Sequence, residues 1–345
     1  MRSFLFFFLI GLRFLGASPV PHLSDKHELC RTGAGPLKVN VGLEIISITE
    51  VNEPDEKFGM HGILHLKWQD PLNVFDPNET GCDPVIFEED AAREALSKIW
   101  WPDPDFRNEL HRPELENQLL TMHSDGKAHL KMMIKASLRY RPDLHQFPFD
   151  DQKLDLILEP FGFDKNEVVF RVDSNKSGYQ NEAMPVDWHL NNMKYIEREA
   201  REFHHKEKKS QVVFRIDASR KGDFYIWRLL VPMVLIVMVT WTVFWMVGEN
   251  LNDRIKVIAI GMLSAISFAH FLGKEMPDIP YLTFLDTIFI GSLVIVFFSV
   301  IESLISYNYA KKDMLNKAHR IDVIFRFLMP LIYFVMMYSI YEMYF

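Results

Sequence analysis

Two hydropathy regimes divide the chain. Up to about residue 224, apolar and polar positions alternate over short runs: Val39-Asn40-Val41-Gly42-Leu43-Glu44-Ile45, Ile63 to Trp68, Leu154 to Leu158, and Val212 to Ile216. A period of two places every second side chain on one face of an extended segment, so these runs predict half-buried strands. Asn52-Glu53-Pro54, Asp76-Pro77-Asn78 and Asp125-Gly126 punctuate them as turns, and many short strands at such spacing predict an all-β sandwich. Glu88 to Lys98 is the exception: it reads as a helix, with Glu89 or Asp90 near its start and Trp100-Trp101-Pro102 ending it.

After residue 224 the period disappears into long apolar segments, at about 225–247, 255–272, 281–305 and 325–345. Each reaches the roughly 17 to 25 residues that a membrane-spanning helix needs. Lys311, Lys312, Lys317 and Arg320 lie between the third and fourth segments, and Arg254 and Lys256 open the second. Positive charge stays on the inside, which puts the N-terminal region outside. The start of the chain agrees: Met1-Arg2, an apolar run from Phe4 to Leu12 and Leu15-Gly16-Ala17-Ser18 read as a secretory signal cut after Ala17. As a fifth membrane helix this run is interrupted too early by Arg13. The expected plan is a signal peptide at 1–17, an exterior β-sandwich ligand-binding domain at 18–224 and a four-helix membrane domain at 225–345.

Composition sharpens this plan. The chain is 48% hydrophobic and 13% aromatic, with 28 Phe and 17 Met. From Tyr225 onward 9 basic residues balance 9 acidic ones, so the net charge of -8 belongs to the exterior region. An acidic face repels phosphate, which argues against nucleic acid as a partner. Two cysteines, Cys30 and Cys82, allow at most one bridge and exclude a disulfide scaffold. No GxSxG, GxGxxG, Walker loop or HExxH is present, which leaves an enzyme without a nucleophile, a phosphate loop or a metal pair. No cofactor or metal is implied; His61 and His65 share a strand face, but two ligands do not make a metal site.

The second apolar segment carries the most specific pattern. Lys256, Ile260, Leu263, Ser267, His270 and Lys274 follow steps of 4, 3, 4, 3 and 4, which is one face of an α-helix. That face holds the charge, the hydroxyl and the imidazole, while the others are apolar or small. Ionisable groups in a membrane helix face water or a partner, so the stripe reads as a pore lining. The bland alternative is a bundle core with snorkelling ends. In a ring, Ile260 and Leu263 would form apolar girdles able to close by dewetting. One chain supplies one such helix and cannot enclose a lumen, so a ring of identical subunits follows.

Five elements in order carry a family resemblance: Trp68-Gln69-Asp70-Pro71; Ile99-Trp100-Trp101-Pro102-Asp103 with Asn108-Glu109; Phe147-Pro148-Phe149-Asp150-Asp151-Gln152; Arg215-Ile216-Asp217; and Pro277-Asp278-Ile279-Pro280-Tyr281. Together they resemble the pentameric ligand-gated ion channels, or Cys-loop receptor superfamily. The two positions that are cysteines in the animal receptors hold Tyr140 and Leu154, and the connection between helices three and four is short. The chain therefore resembles the prokaryotic type without the signature disulfide, a likeness that Leu158-Glu159-Pro160-Phe161 and Asp253-Arg254 sharpen. The resemblance implies a homopentamer of four further identical subunits in a bacterial inner membrane, its sandwich in the periplasm or outside, gated by a small molecule or ion whose identity is open. Its partners are lipid and permeating inorganic ions.

Residue by residue, the resemblance places an acidic selectivity ring at Asp253, ligand contacts at Glu159, Phe161 and Tyr195 with Phe203 as the hairpin aromatic, and gating coupling at Phe149, Asp150, Arg220 and Pro280. The hairpin runs from Glu197 to Ser210, with His204-His205 and lysines 206, 208 and 209, which disfavour a cationic agonist. For Phe161 and Tyr195 the alternative is edge packing, and for the histidine pair a solvated tip. Asp253 and the acidic exterior favour cations; a Lys256 ring would favour anions unless crowding deprotonates it. The expectation is a cation-selective ligand-gated channel, with an anion-selective channel or a non-conducting sensory receptor as alternatives.

Overall fold

A computed structural model describes residues 35–180, 182–201, 208–246, 250–272 and 279–345. The signal segment, Cys30, Phe203, the His204-His205 pair, Lys206, Lys274, Pro277 and Asp278 lie outside the described residues. What is described begins with two stacked sheets. One is seven-stranded: β3 (Val85–Glu88), β5 (Glu114–Met122), β6 (Lys127–Arg139), β2 (Lys57–Gln69), β1 (Leu37–Asn52) and β8 (Val168–Val172) lie side by side, and β9 (Gly178–Tyr179) also pairs with β1. The second has four strands in the order β10 (Trp188–Arg201), β11 (Lys208–Arg220), β7 (Asp151–Pro160) and β4 (Pro104–Phe106).

The period of two decides which faces meet. Along β6 the even-numbered residues Ala128, Leu130, Met132, Ile134, Ala136 and Leu138 are all buried, and along β7 Leu154, Leu156 and Leu158 are sealed from solvent. They interleave with Val39, Val41, Leu43 and Ile45 of β1 and with Val212, Phe214 and Ile216 of β11 to form one core. Tyr140 and Leu154, which stand where a disulfide would, are both buried in it. The helix at the sandwich edge is α2 (Glu89–Lys98), which sets Ala92, Ala95 and Leu96 inward. The four-residue α1 (Pro77–Thr80) is capped by the Asp76 carboxylate.

The helical region opens with α3 (Asp223–Tyr225), a π-helical stretch at Ile226–Leu230, α4 (Val231–Trp241) and a tight turn at Thr242–Trp245, which together form one apolar rod. Then come α5 (Leu251–Leu272), α6 (Phe284–Lys311) and α7 (Leu315–Tyr344). Three of these rods are long and apolar enough to cross a membrane, and α5 is the fourth helix, diluted by its charges. The helices differ from the apolar segments at their ends. The third starts at Phe284 rather than 281, because Thr283 caps it in a reciprocal box with Asp286, and it runs on to Lys311. The fourth begins at Leu315, ten residues before the apolar run at 325, because a helix continues into water wherever its polar face is solvated. Pro232 sits inside this continuous rod, at the junction where the π-helical stretch passes into α4. Trp241 packs against Tyr333, but Trp245 is exposed with Arg326 over its ring.

Candidate functional site

α5 owes its orientation to what its opposite face must bury. Gly261 lets α4 approach so closely that an added Cβ would lie 2.3 Å from Thr240 Cγ2. Ile258 and Ala265 are buried beside it. Arg254 is sealed, with its guanidinium donating to Asp322 at 3.0 and 2.8 Å and to the Met246 carbonyl, and with Glu302 3.7 Å away. A buried cation is tolerated only with such partners, so this cluster fixes the rotation of α5 about its axis. With that face committed, Asp253, Lys256, Ile260, Leu263, Ser267 and His270 all lie on the exposed side. Ile260 is 66% and Leu263 67% exposed, values a soluble core would not tolerate. The Lys256 ammonium lies 3.0 Å from the Asp253 carboxylate one turn earlier, a pairing that sequence reasoning treated as a contest between two rings.

A second constellation sits where β11 meets the helices. The Arg220 guanidinium, 2% exposed at its side chain, donates to Asp150 at 2.9 and 3.3 Å and to Glu53. It stacks on Trp188 at 4.3 Å and Phe147 at 5.0 Å, and donates to the Tyr225 hydroxyl at 3.2 Å. Burial alone would lower its pKa, but Asp150 and Glu53 outweigh burial and hold it above the ordinary arginine value. The cluster therefore ties the β1–β2 turn, the β6–β7 loop, β11 and the first helix to one charge. Sequence reasoning named Asp150 and Arg220; Glu53 was read only as turn punctuation in Asn52-Glu53-Pro54, and a lone turn carboxylate carries no signal of a partner 167 residues away.

The same β6–β7 loop reaches the segment before α6. Leu144 N–H donates to the Tyr281 hydroxyl at 3.1 Å, Phe284 N–H donates to the His145 carbonyl at 2.8 Å, and the His145 and Tyr281 rings stack at 3.9 Å. Phe149 packs edge-on against Phe284 and Phe345. Pro280 is exposed, so its neighbour Tyr281 makes this contact.

The expected ligand residues do not all converge. Phe161, 62% exposed, borders a small cleft of about 270 Å³ with Asp103, Asp105, Glu109 and Arg112. Glu159 is buried instead, accepting from Gln211 at 2.6 Å and from Lys209 at 3.4 Å. Tyr195 packs edge-on against Phe214 at 5.8 Å, the edge-packing alternative. Asp105, which sequence reasoning missed, lies directly across from Glu159 on the neighbouring strand. Burial first and the Glu159 charge second raise its carboxyl pKa. The β10–β11 strands pair up to Arg201 and Lys208, as the hairpin reading expected. Lys208 is drawn to Glu199 at 2.8 Å, and with Lys165 it lowers that carboxyl to about 2.

Comparison with known proteins adds a relation to this geometry. The family model of the neurotransmitter-gated ion-channel ligand binding domain matches residues 23–222. A proton-gated ion channel of Gloeobacter violaceus is 23% identical over 92% of this chain and 83% of its own length. A gamma-aminobutyric acid receptor subunit beta-like protein of Drosophila melanogaster is 24% identical over 84% of this chain. The pH-sensitive chloride channel 2 of Anopheles gambiae is 26% identical over 80% of it. The matched part spans 60% and 46%, respectively, of those two animal relatives.

Proposed function

Because the chain belongs to the neurotransmitter-gated ion-channel ligand-binding-domain family, a family of ligand-gated channels and not of enzymes, we propose that it forms a homopentamer whose lumen is lined by α5. It is an integral membrane protein: its apolar rods are long enough to cross a bilayer, and its relatives are channels. The observation that carries the pore reading is the division of α5 into a face pinned inward by Arg254 and a face of exposed Lys256, Ile260, Leu263, Ser267 and His270. Five copies of that face close a lumen with polar rings at its ends and two apolar girdles between them. Leu263 and Ile260 form the gate, which shuts when water leaves the girdle. The sandwich faces the periplasm or the outside, because the lysines and arginine of 311–320 hold the opposite side.

Cation selectivity is the reading that the local charges favour. Arg254 is spent on Asp322 and Glu302, so its charge does not reach the lumen. Lys256 is compensated by Asp253, which leaves the acidic sandwich to set the field at the entrance. The second reading, an anion channel set by Lys256, keeps one supporting observation: the ammonium is 71% exposed at its side chain and stands one turn deeper than the carboxylate. Ligand capture is assigned to the cleft of Phe161, Asp105 and Glu109, with Glu159 buried across the strand from Asp105 and Tyr195 left to pack on Phe214, and gating passes through Asp150, Arg220, Phe149 and the Pro280-Tyr281 segment. Reconstitution in a voltage-clamped bilayer under a salt gradient tests both levels. Absence of current in all conditions, including an acid step, refutes the channel; a reversal at the chloride potential refutes the cation reading.

A further inference from the structure

A second cleft in the sandwich is larger than the one at Phe161. A depression of about 540 Å³ opens between the end of β6, the strand β7 and the stretch after β4, and its rim carries Arg107, Arg139, Arg141 and Lys153 with Glu109 and Asp155. Its floor is held by one side chain. Asn108 donates to the Arg139 carbonyl at 2.9 Å and to the Asp155 carbonyl at 2.8 Å, and accepts from Ile157 N–H at 3.2 Å. Arg107 N–H donates to the Ile157 carbonyl at 2.9 Å, and Arg139 N–H to the Asn108 carbonyl at 2.7 Å. Three separate segments are thereby locked with their cations around one opening, so the cleft exists before anything enters it.

Its charges lack an internal answer. Asp155 is occupied by a fork of hydrogen bonds from Arg215 at 2.6 and 2.8 Å. Burial and the neighbouring Asp105 push the Glu109 carboxyl toward its neutral form, against Arg112. Arg107 acts on Asp105 and Lys153 on Asp143 through space, yet among the described residues none of the four rim cations forms an ion pair. Elsewhere in the sandwich several cations are answered by carboxylates. Arg171 is paired with Glu197, Arg215 with Asp155, Arg220 with Asp150, and Lys135 with Glu116. Carboxylates are not scarce on a chain with 46 acidic against 38 basic residues. Four cations assembled in a preformed cleft without counter-charge repel one another, and that repulsion is relieved by an anion from solution.

We propose that this cleft binds a small multivalent oxyanion of the di- or tricarboxylate class, held by the Arg139 and Arg141 forks with Arg107 and Lys153 completing the charge. Three guanidinium groups favour planar carboxylates over spherical halides, because each fork can donate two parallel hydrogen bonds. The site sits at the head of the 141–150 loop, and Tyr140 between its two arginines is fixed through its N–H to the Glu56 carbonyl and by its ring against Phe58. An anion bridging Arg139 and Arg141 therefore stiffens the start of the loop that carries Leu144, Phe147 and Asp150 to the membrane junction.

The test uses the full chain in zwitterionic nanodiscs, citrate as probe and titration calorimetry as readout, so that its result does not depend on whether the protein conducts. Citrate is expected to bind one site per subunit with a dissociation constant below about 1 mM that weakens as NaCl rises. Succinate should bind more weakly and chloride should not displace either. Arg139→Gln and Arg141→Gln should each weaken citrate by roughly tenfold, the loss of one charge-assisted fork. Lys153→Glu, at an exposed position and so safe for folding, should abolish binding, whereas Lys153→Arg should keep it. Amide exchange in residues 141–150 should slow with citrate in the wild type and not in Lys153→Glu. Absence of saturable binding, or equal binding in Arg141→Gln and Lys153→Glu, overturns the proposal. So does native mass spectrometry showing that these substitutions dissociate the assembly, because the patch would then be a contact between subunits.

Discussion

Replacing Arg220 by Gln removes the one cation held between Asp150 and Glu53, and the structure sets the scale of the damage. At 2.9 Å and an effective dielectric of about 20, the attraction to Asp150 alone is roughly 5–6 kcal/mol before desolvation is subtracted. Removing one partner of a buried pair costs roughly 3–5 kcal/mol in net terms, because the other charge is left buried without compensation. For a unit of about 150–250 residues that is a fall of roughly 6–20 °C in the unfolding midpoint of the sandwich. The pH dependence follows from the direction of the Arg220 shift. A group whose folded pKa is raised contributes stability that is complete below its unfolded value and is lost only above its folded value, both of which lie beyond any working pH. The wild-type contribution should therefore be flat from pH 6 to 9. Arg220→Lys should fall between wild type and Gln, since an ammonium keeps the charge but loses the fork and the stacking on Trp188. Thermal unfolding followed by tryptophan fluorescence gives the midpoint, and bilayer current against ligand occupancy gives the coupling. An Arg220→Gln protein with an unchanged midpoint and normal activation would refute the view that this guanidinium joins sandwich to pore.

Leu263→Ser should let the girdle wet and raise basal current by roughly tenfold, the effect of exchanging about 1.4 kcal/mol or more of apolar surface for a hydroxyl; a silent, unshifted variant would move the gate elsewhere. Asp253→Asn should leave Lys256 without its partner and move the reversal potential toward the chloride value, whereas Lys256→Gln should move it the other way; equal reversal in both variants would remove this pair from ion selection. Asp322→Asn should unseat Arg254 and lower the yield of assembled protein on size exclusion, at a cost of roughly 3–5 kcal/mol per subunit, and an unaltered profile would show that α5 is oriented by something else. His65, buried and stacked on His129, is pushed down to about 4 by burial and then by His129 and nearby lysines. Its depressed pKa means that the unfolded chain takes up the proton first, so stability should fall on the order of 3 kcal/mol as pH drops from 6.5 to 4. His65→Gln should flatten that slope in unfolding measurements; an unchanged slope would place the acid sensitivity in other groups.

The sandwich was legible because β6 and β7 obey the period of two without interruption, and a strand buried on one face has no other way to satisfy its side chains. The exposed face of α5 was legible for the matching reason at a period of 3.6. What stayed hidden shares one property, a partner distant in sequence. Glu53 and Arg220 are 167 positions apart and Arg254 and Asp322 are 68 apart, and no periodicity connects them. Asp105 was missed because only the register of β4 on β7 brings it opposite Glu159. Glu159 is expected from the resemblance as a ligand contact, and in the structure Gln211 and Lys209, on the strand beside it, claim its oxygens. The apolar edges of the third and fourth helices misplaced their ends because hydropathy reports contact with lipid, and a helix persists beyond lipid when caps and charges solvate it.

In the proposed channel the two buried guanidinium groups supply the couplings through which force would pass. A sandwich and a helical bundle joined by a flexible connection would move independently, and a bundle helix free to rotate about its axis would present no constant lumen. Arg220 answers the first problem by binding the β1–β2 turn, the β6–β7 loop and the first helix to a single charge that cannot leave without exposing two carboxylates. Arg254 answers the second at the opposite end of the bundle, where it fastens α5 to α6 through Glu302 and to α7 through Asp322. Between these pins the contacts are softer: ring stacking of His145 on Tyr281, the packing of Phe149 on Phe284, and apolar surfaces that slide at little cost. In the proposed channel, motion of the sandwich would be delivered to the end of the bundle nearest it while the far end of α5 stays clocked, and a helix held at one end and pushed at the other tilts. In the proposed ring of five, such a tilt would displace Leu263, near the middle of α5, sideways relative to its four counterparts, which is the movement needed to widen an apolar girdle.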